Sequence, residues 1–145
     1  MNLNLYQNIY LIGVGGIGMS ALARYFNFQG KHVFGYDKVR SDLCTQLESE
    51  GINIHYKEDP SDIPEKIKKI QHDEILIIYT SAISNENKLF LFFQNQGFTI
   101  LKRAKVLGMI SKQIFTIAIA GTHGKTTTST MLAHILKKSG KEITA

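Results

Sequence analysis

Two glycine-rich motifs in this 145-residue sequence contain the residue types that bind phosphate groups. Residues 13–18 read GVGGIG, a G-x-G-x-x-G pattern, and residues 121–126 read GTHGKT. Glycines let the backbone approach a phosphate closely, and the N–H groups at the start of a following helix bind its oxygens. In the second motif, Lys125 could neutralise the β- and γ-phosphate oxygens and Thr126 could coordinate Mg²⁺. Because Ile119 stands where the common G-x-x-x-x-G-K-[ST] pattern has its first glycine, this loop is two residues shorter at its front.

Each motif needs a strand before it and a helix after it, and the hydrophobic pattern predicts both. An apolar segment at 8–14 enters the first motif, and apolar residues at helical spacing follow from Ile17 until Gly30. The next strand, 32–37, ends at Asp37, whose carboxylate could accept hydrogen bonds from a ribose. Further strands are predicted at 52–56, 74–79 and 99–101, and further helices at 41–51, from Ser84 onward and at 102–112. This alternation predicts an α/β fold, a Rossmann-like parallel sheet with right-handed crossovers and helices on both faces.

The start of a second α/β nucleotide-binding domain is predicted after the first sheet. A buried-type strand is expected at 114–120, and it leads through the second motif into a helix at 125–139. We therefore divide the chain into a domain at 1–108 and the beginning of another at 109–145. The helix would turn three apolar side chains toward a core: Leu132, Ile135 and Leu136. One strand and one helix have too little apolar surface to form a core of their own.

The composition favours small-molecule ligands over nucleic acid or membrane partners. Seventeen Lys and Arg against twelve Asp and Glu give a net charge of +5, but the basic residues are spread without one dense tract. The single cysteine, Cys44, excludes an internal disulfide, and no histidine pair lies at zinc-ligand spacing with cysteines. The apolar run at 9–14 is too short for a signal peptide or a membrane span. We therefore expect a cytoplasmic protein that binds phosphorylated small molecules.

The motifs alone leave other functions open. The first motif does not distinguish NAD from another diphosphate nucleotide, so an NAD-dependent oxidoreductase domain fits it, although such a domain leaves the second motif unexplained. A stand-alone P-loop nucleotide-binding module fits the second motif, but it needs an acidic residue on a later strand, and no later strand is predicted. The glycines of the first motif could also serve only to pack a helix against the sheet.

Four segments resemble the Mur ligases of peptidoglycan synthesis. They read GVGGIGMSALA at 13–23, YTSAI at 79–83, KRAKVLG at 102–108 and IAGTHGKTTTSTM at 119–131, so the resemblance covers the whole chain. The last segment is specific to the ligase superfamily. Its combination with Met19-Ser20 favours the branch of the family that adds alanine over the branch that recycles murein peptides. The sequence departs from the family at Tyr36, where a serine is usual, and at 56–58, where a Gly-His pair is missing.

The resemblance implies that the first domain binds UDP-N-acetylmuramate, not NAD, and that the second binds ATP and Mg²⁺. The implied UDP-sugar residues are Gly15, Gly16, Ile17, Gly18, Met19, Ser20, Asp37, Thr80, Ser81, Ala82 and Arg103. The implied ATP residues are Gly121, Thr122, His123, Gly124, Lys125, Thr126 and Thr127. Of these, Lys125 and Thr126 would be catalytic, and Thr126 would be the metal ligand.

The resemblance also implies an ADP-forming ligation. In that family, the γ-phosphoryl group of ATP passes to the lactyl carboxylate of UDP-N-acetylmuramate, and the amine of L-alanine then displaces phosphate from the acyl phosphate. The reaction builds the peptidoglycan precursor and so serves cell-wall biogenesis, cell shape and cell division. By the same resemblance we expect the chain to be a fragment that lacks the rest of the central domain and the C-terminal domain, and to have no ligase activity alone.

Overall fold

The computed structural model describes residues 2–143 and consists of two compact units that separate between Gln113 and Ile114. The first unit contains five strands, β1 (Asn8–Ile12), β2 (His32–Tyr36), β3 (Asn53–His55), β4 (Ile75–Tyr79) and β5 (Thr99–Lys102). Its helices are α1 (Ile17–Phe28), α2 (Asp42–Ser49), α3 (Glu65–Lys68), α4 (Lys88–Asn95) and α5 (Arg103–Ser111). The second unit contains α6 (Lys125–Lys138).

The strands of the first unit form one parallel sheet in the order β3-β2-β1-β4-β5. The chain passes from β1 to β2 and β3 on one side and then returns to β4 on the other side of β1. Ile12 at the end of β1 aligns with Tyr36 on β2 and Tyr79 on β4, so the loops that follow these strands leave from the same edge. In open α/β sheets, ligands bind at this edge, at the point where the strand order reverses.

Each face of the sheet has its own hydrophobic core, because successive side chains of a strand point to opposite faces. Ile9 and Leu11 of β1 belong to the core covered by α1, α2 and α5, whereas Tyr10 and Ile12 belong to the core covered by α3 and α4. All five residues of β1 are buried. The predicted α/β fold, with a parallel sheet and helices on both faces, is confirmed.

The start of α4 differs from the sequence prediction, which placed it at Ser84. The helix begins at Lys88, and the buried side chain of Asn87 caps it by accepting two N–H groups of the first turn at 3.1 and 3.0 Å. Ser84 instead accepts the N–H of Glu86 at 3.1 Å in the preceding turn. Both residue types cap helices well, so sequence alone did not separate a turn from a helix start.

The predicted strand at 114–120 is wrong. A strand needs a neighbour for its N–H and C=O groups, and within the described residues no strand pairs with this segment. Phe115 is 94% exposed. The helix that follows is present, but only Leu132 and Leu136 of its predicted core face are half-buried, whereas Ile135 is 61% exposed. The second unit therefore has a helix and a loop without a closed core among the described residues.

The predicted domain boundary between 108 and 109 lies within α5. The compact units separate five residues later, because α5 packs Val106 and Ile110 into the core of the first unit. The assignment of a separate ligand to each unit stays a prediction. No helix in the part of the chain that the structure describes is both long enough and apolar enough to cross a bilayer.

Candidate functional site

A cavity of about 680 Å³ lies at the carboxyl edge of the sheet in the first unit. Loops after β1, β2, β4 and β5 contribute to it, which is the arrangement that the strand order favours. Among the predicted UDP-sugar residues, those that line it are Gly16, Ile17, Gly18, Met19, Asp37, Thr80, Ala82 and Arg103. The predicted residues that do not line it are Gly15, Ser20 and Ser81.

The glycine loop after β1 is fixed by backbone geometry. Gly13 has a φ of +85°, a conformation that side chains disfavour, and its N–H donates to the Tyr36 carbonyl at 2.8 Å. Helix α1 starts directly after Gly16, which offers no side chain to cap it. The N–H of Met19 donates to the Gly16 carbonyl at 2.9 Å, which leaves the N–H groups of Ile17 and Gly18 to bind an anion. The helix dipole favours negative charge at the same place.

Arg103 places a positive charge over this helix start. It is the first residue of α5, directly after β5, and its guanidinium packs against Gly18 of α1. A Cβ added at Gly18 would overlap Nη1 of Arg103 and lie 2.8 Å from Cζ. Only glycine therefore leaves room for the guanidinium. Arg103 has no ion pair within residues 2–143, so its charge is available to a ligand.

Asp37 holds the glycine loop in place. One carboxylate oxygen accepts the N–H of Gly15 at 2.8 Å, and the other accepts the N–H of Val39 at 3.1 Å. A Cβ at Gly15 would lie 2.7 Å from the sulfur of Cys44 and 2.8 Å from Oδ2 of Asp37. Gly15 thus faces Cys44 and Asp37 on the side of the loop away from the cavity, which is why it does not line the cavity.

Ser20 and Ser81 also lie outside the cavity lining. The buried Ser20 donates its hydroxyl to the Ile17 carbonyl at 2.8 Å within α1. Ser81 is exposed in the turn after β4, between Thr80 and Ala82, which do line the cavity. The structure therefore gives Ser20 a role in holding the helix, and it gives Ser81 no contact with the cavity.

Glu58 is a cavity residue that the sequence analysis did not identify as a site residue. Its Oε1 accepts the N–H of Lys88 at 3.1 Å, and its Oε2 accepts the hydroxyl of Tyr36 at 3.3 Å. Burial and the nearby Glu58 carboxylate raise the pKa of Tyr36 to about 12, so the phenol stays protonated as a donor. The only sequence signal was the departure from the family pattern at 56–58.

The second glycine loop has the backbone that a phosphate loop requires. Gly121 and Gly124 have φ angles of +150° and +75°, and α6 begins after Gly124 without a side-chain cap. The ammonium of Lys125 donates to the carbonyls of Gly121 and Thr122 at 2.7 and 3.2 Å. The predicted ATP residues, 121–127, are all exposed. Free N–H groups, an exposed ammonium and the Thr126 hydroxyl fit a magnesium-bound triphosphate.

No carboxylate-rich metal site accompanies this loop. Within residues 2–143, no group of three or more His, Cys, Asp or Glu side chains could hold a metal ion. A magnesium ion here would take its ligands from phosphate oxygens, water and the Thr126 hydroxyl, which is the usual pattern for this ion.

A parallel sheet with an uncapped helix start and a glycine loop at its switch point has the architecture of an α/β nucleotide-binding domain. The profile of the Mur ligase family, catalytic domain, matches residues 8–114. The chain therefore belongs to the Mur ligase family, as the sequence resemblance predicted. The matched residues include the first glycine loop, Asp37 and Arg103, but they end before the second glycine loop.

Curated relatives match the second loop as well. The chain is 49% identical over 145 residues to the UDP-N-acetylmuramate–L-alanine ligase of Cytophaga hutchinsonii, a match that covers 100% of this chain and 31% of the relative. It is 47% identical to the enzyme of the same name from Christiangramia forsetii, over 99% of this chain and 32% of the relative. The chain thus spans about a third of the length of the curated relatives that it matches.

Solved structures share the fold. The UDP-N-acetylmuramate-alanine ligase of Thermotoga maritima is 29% identical with a TM-score of 0.77, and the match covers 90% of this chain and 29% of that chain. The UDP-N-acetylmuramate:L-alanyl-gamma-D-glutamyl-meso-diaminopimelate ligase of Neisseria meningitides is 28% identical with a TM-score of 0.81, over 93% of this chain and 40% of that chain.

Proposed function

We propose that this chain provides the UDP-sugar site and the ATP phosphate loop of an ADP-forming ligase that joins L-alanine to UDP-N-acetylmuramate. One observation carries the proposal: the guanidinium of Arg103 lies over the uncapped start of α1, at Gly18, inside a cavity of about 680 Å³. An arginine and a helix N-terminus that converge on one point form a site for a diphosphate.

The names of the relatives support a UDP-sugar rather than NAD as the ligand of this cavity. The alanine ligases and the peptide ligase from Neisseria meningitides differ in the amine that their names give, but all of them are named for UDP-N-acetylmuramate. Because UDP-N-acetylmuramate is common to these names and the fold is common to these proteins, UDP-N-acetylmuramate is the simplest ligand to assign to the shared fold. The choice of L-alanine as the amine rests on the relatives with 47–49% identity.

Different residues of the cavity would contact different parts of the UDP-sugar. The N–H groups of Ile17 and Gly18, together with Arg103, would bind the diphosphate. Ile17 is 87% exposed at the cavity wall and would provide apolar contact for the ligand. Thr80 and Ala82, which follow β4, line the opposite side of the switch point and would contact the sugar.

The second loop would bind the triphosphate of ATP with Mg²⁺. When bound, ATP supplies the phosphoryl group that activates a carboxylate for amide formation. The ammonium of Lys125 would give up its hydrogen bonds to the Gly121 and Thr122 carbonyls and donate to phosphate oxygens instead, and its positive charge would offset their negative charge. Thr126, next in the first turn of α6, would offer its hydroxyl to the metal, and Thr127 its N–H to phosphate. Cytoplasmic synthesis of the peptidoglycan precursor is the setting that this chemistry suits.

Calorimetric titration of the chain with UDP-N-acetylmuramate, with NADH in a parallel titration, tests the proposal. We expect saturable binding of the UDP-sugar and none of NADH. Arg103→Ala should weaken UDP-sugar binding by about 10- to 100-fold, the usual effect of losing charge-assisted hydrogen bonds. Lys105→Ala is the matched control, because it removes one positive charge from the same helix outside the cavity lining. Binding of NADH instead, or equal losses in the two variants, would contradict the assignment.

A further inference from the structure

The lining of the cavity in the first unit carries charges of both signs. Arg103, Lys38 and the start of α1 offer positive groups, whereas Asp37, Glu58 and Glu86 offer carboxylates. A carboxylate repels a diphosphate, and it is favourable in a binding site only where a ligand brings hydrogen-bond donors. The ligand should therefore carry both phosphate and hydroxyl or N–H groups, as a nucleoside diphosphate does.

Asp37 holds the usual position for a ribose-binding acid, at the end of β2, but its oxygens are engaged by the fold. Each oxygen accepts a backbone N–H, from Gly15 at 2.8 Å and from Val39 at 3.1 Å. The carboxylate also packs against Gly15 so closely that a Cβ there would lie 3.1 Å from its Cγ. Asp37 thus keeps the glycine loop in its binding geometry, and a ligand that drew it away would release that loop.

Glu58 is held in the cavity by one hydrogen bond of ordinary length and one long hydrogen bond. The N–H of Lys88 fixes one oxygen, while the Tyr36 hydroxyl reaches the other only at 3.3 Å, a long hydrogen bond. Glu58 forms no ion pair within the described residues. A carboxylate has about four acceptor positions. Glu58 therefore presents a positioned, unneutralised acceptor to the cavity.

We propose that Glu58, rather than Asp37, accepts the ribose hydroxyl groups of the uridine nucleotide. This inference rests on the proposed function, because it presumes that the cavity binds a UDP-sugar. It gives the loop after β3 a direct part in recognising the nucleoside. It also gives Tyr36 a role in the cavity. The Tyr36 hydroxyl donates to one oxygen of Glu58 and the Lys88 N–H at the start of α4 donates to the other, and together they hold the carboxylate toward the ligand.

Titration of the chain with UDP and with 2′,3′-dideoxyuridine diphosphate tests the inference. The ratio of the two affinities measures the hydroxyl contacts and is unchanged by a general loss of fold. In the wild-type chain, UDP should bind about 10- to 100-fold more tightly than the dideoxy ligand, as expected for hydrogen bonds to a charged group. Glu58→Gln should reduce this ratio to about threefold or less. The glutamine can still accept the Lys88 N–H, so the start of α4 stays capped.

Two further variants distinguish a ribose contact by Glu58 from a ribose contact by Asp37 and from a general effect of lost charge. Asp59→Asn removes the same charge one residue away, outside the cavity lining, and should keep the wild-type ratio. Asp37→Asn should weaken both ligands and also keep the ratio, because it loosens the glycine loop. A ratio that survives Glu58→Gln, a ratio that Asp37→Asn abolishes, or a wild-type ratio near one would overturn the inference alone. Failure of wild-type protein to bind UDP would instead overturn the proposed function, and this inference with it.

Discussion

Replacing Gly18 with alanine should stabilise the fold and weaken nucleotide binding at the same time. Gly18 lies in the first turn of α1 with an ordinary helical φ, so alanine fits the backbone and lowers the free energy of the helix by about 0.5–1 kcal/mol. The new Cβ, however, would lie 2.8 Å from Cζ of Arg103, where carbon atoms normally approach to about 3.5–4 Å. The guanidinium is the end of a flexible side chain, so it moves away while the helix stays.

The expected loss follows from the bonds that Arg103 would make to the diphosphate. Hydrogen bonds to charged groups contribute about 1.5–3 kcal/mol, so UDP should bind about 10- to 100-fold more weakly to Gly18→Ala. Calorimetry measures the binding, and urea denaturation measures the free energy of unfolding. Gly108→Ala is the matched control: Gly108 lies within α5, and a Cβ there meets nothing within 4 Å. It should raise stability similarly and leave UDP binding unchanged.

A double-mutant cycle with Arg103→Ala decides whether the effect of Gly18→Ala acts through the guanidinium. Once Arg103 is gone, Gly18→Ala should have little further effect on UDP binding, because there is no side chain left to displace. Additive losses would mean that the Cβ obstructs the diphosphate directly, and wild-type affinity in Gly18→Ala would mean that Arg103 does not bind it. Either result would refute the account of this contact.

Three other predictions concern the fold around the site. Gly35→Ala puts a Cβ 2.8 Å from Cβ of Val14, so urea denaturation should show a loss of about 1–3 kcal/mol, partly recovered by adding Val14→Ala. Burial lowers the pKa of His55 below its ordinary 6.5, so the unfolded chain binds a proton more readily than the folded chain. Stability should therefore fall as the pH drops below about 7, and His55→Gln should flatten that slope. Ser41→Ala removes the N-cap of α2, an acceptor for the Cys44 N–H at 3.3 Å, and thermal denaturation should show a loss of about 1 kcal/mol.

The parts of the fold that sequence predicted are those with strong local signals. The near-continuous apolar runs that became β1 and β4 were identified because both faces of these strands are buried. The helix predicted at 41–51 is present as α2, because Ser41 caps its start and Gly51, with a φ of +90°, follows its end. The strand expected at 114–120 failed because strand formation depends on a partner, which apolar composition does not reveal.

The site was harder to predict because its contacts join distant residues. Arg103 came from the family resemblance, and nothing in its spacing from Gly18 indicated that the two would touch. Asp37 was expected to face a ribose, but its bond to Gly15 joins positions 22 residues apart. Glu58 accepts the N–H of Lys88, 30 residues away, and the departure from the family at 56–58 did not show that its carboxylate lines the cavity. Hydrophobic periodicity locates elements, whereas the direction of a polar side chain depends on the packing of several elements.

Amide chemical-shift mapping of the isotope-labelled chain during a titration with UDP shows whether the first glycine loop binds the diphosphate, because it reports each backbone N–H separately. We expect the largest shifts on the amides from Gly16 to Met19 and on the side-chain N–H groups of Arg103. Shifts confined to the loop at 121–127, or none at Gly16 to Met19 under saturating UDP, would contradict the claim that the first glycine loop is the diphosphate site.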